Sequence, residues 1–225
     1  MKVGVLLSGC GVYDGSEIHE SVLTLLAIAE ASYESVCISI DDNQHHVINH
    51  LTGEEMKHSR NMLIESARIA RGAVTEISKI SPADIDALVI PGGFGNAKNF
   101  TSWAFDGSNG EIRNDVKLLI VNMINVGKPI VALCVSPVVL AKAMDGTNIE
   151  LNLTIGSTKS ASPYSISGFM EGIQATGAAT SEREINEILI DYKNKIISAP
   201  CYMMEANIVE IRENIKQAID ALKDL

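Results

Sequence analysis

Short, largely apolar runs alternate along this chain with stretches that repeat apolar residues every three or four positions, and this alternation narrows the possible folds most. Residues 3–7, 36–40, 87–90, 130–133 and 196–198 lack the strict apolar–polar alternation of a half-exposed strand, so both faces of each strand should be covered. Between them lie helical stripes: Ile18, Val22, Leu25, Leu26 and Ala29; then Ile112, Val116, Leu119, Ile120 and Met123; then Ile208, Ile211, Ile215, Ala218, Ile219 and Leu222. Gly127 stands where the second helix should end, as a C-terminal cap. Buried strands separated by amphipathic helices predict an α/β fold, a mostly parallel sheet with helices on both faces. Residues 187–199 read instead as a late hairpin turning at Lys193-Asn194. With no linker, repeat or low-complexity tract, residues 1–225 read as one domain.

Charge and cysteine usage remove several classes of function. A net charge of −10 leaves no basic face for nucleic acid and disfavours anionic membranes. The apolar runs are far too short to span a bilayer. Met1-Lys2 leads directly into the first strand-like run, so no secretion signal is expected there. Cys10, Cys37, Cys134 and Cys201 have no metal-type spacing and read as reduced thiols in the cytoplasm. His45, His46, His50 and His58, with Glu54, match no zinc pattern and read as loop histidines, so no metal and no cofactor is expected.

The chemistry gathers where strands end. Residues 129–133 run into Cys134, and a helix opens at once through Val135-Ser136-Pro137. A strand that turns sharply into a helix at a nucleophilic residue is a nucleophile elbow, which pushes the side chain off the sheet above the helix N-terminus. Amides and the positive end of the helix dipole there favour thiolate. Proline suits the first helical turn, where its missing N–H costs no hydrogen bond. The strand 87–90 ends in Pro91-Gly92-Gly93-Phe94-Gly95, so the amides of Gly93 and Val135 could form an oxyanion hole beside Cys134. Glu17, in the first turn of the first helix, either closes a capping box with Asp14 or exchanges a proton with Cys134. Gly92, Gly11, Ser136 and Cys201 complete the expected pocket, Cys201 being either a packed residue or a resolving thiol.

Two other segments admit rival readings. Gly9-x-Gly11-x-x-x-Gly15, with Asp41 after the second strand, resembles a dinucleotide fingerprint. Its spacing is off by one residue, and Asp14, Glu17 and Glu20 crowd the helix start where a pyrophosphate would need positive charge. Residues 94–110 form a long connection carrying Phe94, Phe100, Trp103 and Phe105, rings that either pack into the core or wall the site.

The run from Leu7 to Glu20 (LSGCGVYDGSEIHE) resembles the start of the ElbB-like glyoxalases, first named for enhancing lycopene biosynthesis. Asn49-His50-Leu51-Thr52-Gly53-Glu54, Pro91-Gly92-Gly93-Phe94-Gly95 and Leu153-Thr154-Ile155-Gly156 extend the resemblance across nearly the whole chain. The wider group is the PfpI and Parkinson-disease-protein deglycase branch of the class I glutamine amidotransferase-like fold. The resemblance implies a flavodoxin-like three-layer sandwich, a homodimer, Cys134 as nucleophile and Glu17 as acid. It also implies glutathione-independent conversion of small 2-oxoaldehydes to 2-hydroxy acids, described also as deglycation. Two departures stand out. Ser136 replaces the usual Ala or Gly before the proline, and Val135 stands where protease-like members place histidine. A peptidase or a lone glutaminase-like subunit would need that imidazole, which this chain lacks at position 135. The remaining alternative is a redox-responsive binding protein whose Cys134 is oxidised rather than catalytic.

Overall fold

In a computed structural model describing residues 1–225, the nine strands are β1 (Lys2–Leu6), β2 (Glu34–Ser39), β3 (Val74–Glu76), β4 (Ala87–Ile90), β5 (Ile130–Leu133), β6 (Asn152–Leu153), β7 (Ala179–Thr180), β8 (Leu189–Asp191) and β9 (Ile196–Ala199). Seven of them form one sheet, ordered β3-β2-β1-β4-β5-β9-β8, and β6 pairs separately with β7. Every pairing in the large sheet is parallel except β8 with β9, the expected hairpin. β1, β4, β5 and β9 are almost wholly buried, as their apolar composition requires. Helices α1 (Ile18–Glu30), α2 (Met62–Ile69) and α7 (Ile208–Asp220) pack together on one face. Helices α4 (Asn114–Asn125), α5 (Pro137–Met144) and α6 (Ile166–Ala175) cover the other, and α3 (Trp103–Asp106) is one short turn before α4. This is the three-layer, flavodoxin-like α/β sandwich, with one core cluster of 54 buried apolar residues running through it. No helix is long and apolar enough to cross a membrane.

Two of the three helical stripes face inward as expected. Val116, Leu119, Ile120 and Met123 of α4 are buried, and so are Ile211, Ile215, Ala218 and Ile219 of α7, though Ile208 is exposed. Gly127 follows α4 at φ 68°, a left-handed conformation that glycine adopts without strain. The first stripe is turned round. Ile18, Val22 and Leu26 of α1 are 43%, 48% and 42% exposed, while Glu20, Ser21, Thr24, Ala27 and Ile28 face inward. The inward face of α1 is half polar because it must deliver a carboxyl to the strand ends, and the apolar stripe is left on the outside.

The connection 94–110 is structured rather than loose. It contains a wide turn of helix at Asn96–Phe100 followed by α3, with Phe100 and Trp103 buried and Phe105 exposed against His45. Residues 43–61 form a strap across the first loop. In this strap Gln44 Nε2 donates to the Asp14 carbonyl (3.0 Å), the Ile48 amide donates to Asp14 Oδ2 (2.7 Å) and the Tyr13 amide donates to His50 Nε2 (3.3 Å). A side chain on Gly9 would meet Gln44, and one on Gly11 would meet His50. The strap therefore fills the space a dinucleotide pyrophosphate would need, and Asp41 is exposed and taken up by Asn61. Leu88→Ala, in the middle of the sheet, should cost about 2–5 kcal/mol of folding stability by urea denaturation, with the denaturant slope unchanged.

Candidate active site

Cys134 is at φ 57°, in the left-handed region. Its amide donates to the Ala199 carbonyl at 2.9 Å, the last rung of β5 on β9, and the Ser136 amide then turns back onto the Leu133 carbonyl at 2.9 Å. The chain thus leaves the sheet and enters α5 within two residues, with Pro137 as the first helical residue. A strained non-glycine residue held at a strand end by its neighbours is the geometry of a nucleophile elbow. Ser136 secures it from behind. It is fully buried, donates to the Pro91 carbonyl at 2.7 Å and accepts from Asn96 Nδ2 at 2.7 Å. That corrects its expected place in the pocket: the hydroxyl ties the elbow to the β4 loop and faces away from substrate.

The carboxyl against the thiol belongs to Glu20, one helical turn beyond Glu17. Glu20 is fully buried. Its Oε2 accepts the Gly92 amide at 2.8 Å and its Oε1 accepts the Tyr202 amide at 3.2 Å, and the carboxyl lies beside the Cys134 side chain across Gly92. A methyl on Gly92 would strike both Glu20 Oε2 and Cys134 Sγ, so only glycine lets these two atoms meet across the β4 loop. Glu17 does what a capping residue does. Its Oε2 accepts the Glu20 amide at 2.7 Å as N-cap of α1, and its own amide donates to the Gly92 carbonyl at 2.8 Å. The expected capping box with Asp14 does not form, because Asp14 is turned into the strap. Glu17 still lines the cavity, so it borders the site without touching the sulfur through any hydrogen bond.

Burial and mutual repulsion set the protonation of the pair. Burial, then the charge of Glu17, pushes the Glu20 carboxyl up to about 8, against the opposing effect of the amides of Tyr202 and Gly92 and the bond to Cys134. Burial also raises the Cys134 thiol, and a charge on Glu20 raises it further, while the Val135 amide favours thiolate. Each group therefore resists ionising while the other is charged, and the first proton lost belongs to the pair. Glu17 is raised as well, by burial, with amide donors opposing. Tyr164 is pushed up to about 12 by burial and by the same nearby charges, so its phenol keeps its proton.

Above the sulfur lies a narrow cavity of about 20 Å³, walled by Val12, Gly93, Phe94, Val135, Tyr164 and Tyr202. It opens into a basin of about 520 Å³ that shares Val12, Glu17, Tyr164 and Tyr202 with it and adds His19. His19 Nδ1 is 2.9 Å from the Tyr202 hydroxyl. Gly93, at φ 113°, donates its amide to no acceptor in the chain, and it borders the sulfur together with Val135. Gly11 is packed under His50 and Cys201 is fully buried, so neither faces the cavity as expected. His45 and His46 stack with Phe105, His50 with Tyr13, and His58 accepts from Arg60.

The arrangement is matched by a known family. The model of the DJ-1/PfpI family matches residues 10–154. The chain belongs to the DJ-1/PfpI family. A human relative, glutamine amidotransferase-like class 1 domain-containing protein 3, mitochondrial, is 36% identical over 226 residues, all of this chain and 83% of the relative. The crystal structure of an isoprenoid biosynthesis protein with an amidotransferase-like domain from Ehrlichia chaffeensis superposes with a TM-score of 0.89 at 32% identity, covering all of this chain and 98% of that one. Glyoxalase III from Candida albicans shares the fold, with a TM-score of 0.62 at 15% identity over 99% of this chain and 97% of that one. The expected cytoplasmic setting does not stand, because the human relative and those from rat and zebrafish are all named as mitochondrial proteins.

The raised Glu20 carboxyl has a consequence for stability. Its folded value lies above its unfolded one, so the stability it contributes is present in full below about pH 4.5 and is lost as pH rises toward 8. Denaturant unfolding between pH 5 and pH 9 should show a steeper decline for the wild type than for Glu20→Gln, and parallel curves would mean an unperturbed carboxyl.

Proposed function

We propose that this protein is a cysteine enzyme of glyoxalase type, converting small 2-oxoaldehydes such as glyoxal and methylglyoxal to 2-hydroxy acids. The observation that carries the reading is the Cys134 sulfur at the floor of a narrow cavity with the Glu20 carboxyl against it. An inner space of about 20 Å³, little more than room for one water-sized group, keeps a bulky chain such as a peptide away from the sulfur. Family membership supports cysteine chemistry of this kind, and the shared fold with glyoxalase III agrees with it.

The residues supply each step. Ionised Glu20 takes the thiol proton as Cys134 Sγ bonds to the aldehyde carbon, and the hemithioacetal oxygen is received by the amides of Gly93 and Val135. Glu20 passes that proton to the hemithioacetal oxygen; ionised again, it removes the proton from the former aldehyde carbon and returns it to the neighbouring carbon, while the proton on the hemithioacetal oxygen moves to that carbon's oxygen. This internal redox shift leaves a thioester on Cys134 and a hydroxyl next to it. Water cleaves the thioester, freeing the 2-hydroxy acid and the thiol, so aldehyde plus water balances to acid with no outside oxidant. Tyr164, its phenol still protonated, and Tyr202 border the substrate oxygens.

The role given to Glu17 by the sequence passes in this reading to Glu20, with Glu17 holding the helix that carries it. Cys134→Ala and Glu20→Gln should each lower kcat for methylglyoxal by at least about 100-fold with circular dichroism unchanged. Glu17→Gln should retain most of kcat. Equal loss in Glu17→Gln and Glu20→Gln would remove the distinction, and retained turnover in Cys134→Ala would end the proposal. Because the reactive form has lost one proton from the pair, kcat/KM should rise with pH and level off above about 8. A flat profile from pH 6 to 9 would contradict the shared proton.

The proposed assembly is a homodimer. Its support is the outward stripe of α1, Ile18, Val22 and Leu26, an apolar helix face that this chain leaves uncovered. Val22→Glu with Leu26→Glu should shift the protein to the monomer mass in analytical ultracentrifugation, while an unchanged mass would place any dimer contact elsewhere.

A further inference from the structure

The end of β9 brings a second sulfur to the elbow. Leu133 of β5 is paired with Ala199 of β9, and each strand continues into a cysteine within two residues. Paired strands lie about 4.8 Å apart, so the ladder delivers both chains side by side at this point, and the Cys201 and Cys134 sulfurs are close enough to repel when charged. Both cysteines are in the left-handed region, Cys134 at φ 57° and Cys201 at φ 47°. Outside these two, only Ser32, Arg71 and Lys195 among the non-glycine residues have positive φ. The amide of Cys134 closes the ladder onto Ala199, and it lies near enough to the Cys201 sulfur to favour that sulfur's charged form.

Cys201 is held there by a side chain with no part in the proposed aldehyde chemistry. Its amide donates at 3.0 Å to Asn214 Oδ1, whose Nδ2 donates at 2.9 Å to the Glu187 carbonyl, so α7 and the β8 hairpin fix it from behind. It is fully buried, while Cys134 retains a small exposed surface at the cavity floor. A peroxide can therefore reach one sulfur and not the other, which is the division of labour between a peroxidatic and a resolving thiol.

We propose that Cys134 and Cys201 form a reversible intramolecular disulfide when hydroperoxides oxidise the site. The Cys134 thiolate attacks the terminal peroxide oxygen, the O–O bond breaks and an alcohol or water leaves, making Cys134 a sulfenic acid. The Cys201 sulfur then attacks Cys134, the S–O bond breaks, and the hydroxyl departs with the Cys201 proton as water. The two sulfurs supply the two electrons that reduce the peroxide, and an external dithiol returns them. The pair closes off the nucleophile while it is oxidised and keeps it from the irreversible sulfinate. This inference rests on the strand-end geometry and is independent of the aldehyde reading.

The test uses the full chain, denatured before thiols are counted, and about two to three equivalents of hydrogen peroxide, one being enough for the disulfide and two being needed for a sulfinate. Intact mass should fall by about 2 Da and alkylatable thiols should drop from four to two, leaving Cys10 and Cys37. Peptide mapping should find Cys134 linked to Cys201, and dithiothreitol should restore all four thiols. Cys201→Ala and Cys201→Ser, checked for folding by circular dichroism, should instead gain about 32 Da at Cys134, a sulfinate that dithiothreitol does not reverse. A wild type that gains the same 32 Da while Cys201 stays alkylatable would overturn the proposal, and so would a disulfide joining any other pair. Mass is the readout throughout, so a protein without glyoxalase activity still answers it.

Discussion

A carboxyl and a thiol, both out of water and in contact, form the arrangement on which the other features of this site depend. Glu20 is buried at the one point where α1, the β4 loop and the residues after β9 meet, and the amides of Gly92 and Tyr202 take up its two oxygens. A carboxylate in that position is costly unless charge-assisted donors surround it, so it keeps its proton to about pH 8. The surrounding architecture serves that contact. Gly92 must be glycine to let Glu20 past, Glu17 must cap α1 to aim it, and Ser136 must hold the elbow onto Pro91. The apolar stripe of α1 faces out for the same reason.

Much of this was legible in the residues. The buried strands, the late hairpin, the α4 and α7 faces and the elbow at Cys134 follow from patterns in single segments. The acid did not, and the reason is physical. Glu17 and Glu20 lie on one side of the same helix, three residues apart, and a sequence does not say how far a helix is rotated about its axis. The apolar residues Ile18, Val22 and Leu26 suggested the wrong rotation, because apolar faces normally point inward. The small polar residues Ser21 and Thr24, beside Glu20, were the signal for the right one. The sequence marks His45, His46, His50 and His58 only as loop histidines, since the role of residues 43–61 is to fill the first loop from outside and no local periodicity records that.

The chemistry of the elbow separates this protein from hydrolytic relatives of its fold. An amidase or peptidase pairs its cysteine with an imidazole that can protonate a leaving amine. Here Val135 follows the cysteine, and the histidine bordering the basin, His19, is engaged by Tyr202 at the rim. The aldehyde chemistry proposed above asks only for proton exchange between a carboxyl and a sulfur, and no amine must leave.

The central claim is that Glu20 and Cys134 hold their last proton between them. Difference infrared titration of the carboxyl stretch, wild type against Glu20→Gln, reads that proton directly. A protonated carboxyl is expected at neutral pH, its signal disappearing near pH 8 while the Cys134 thiol keeps its proton through that step. A carboxylate already ionised by about pH 5, near the ordinary value for glutamate, would contradict it.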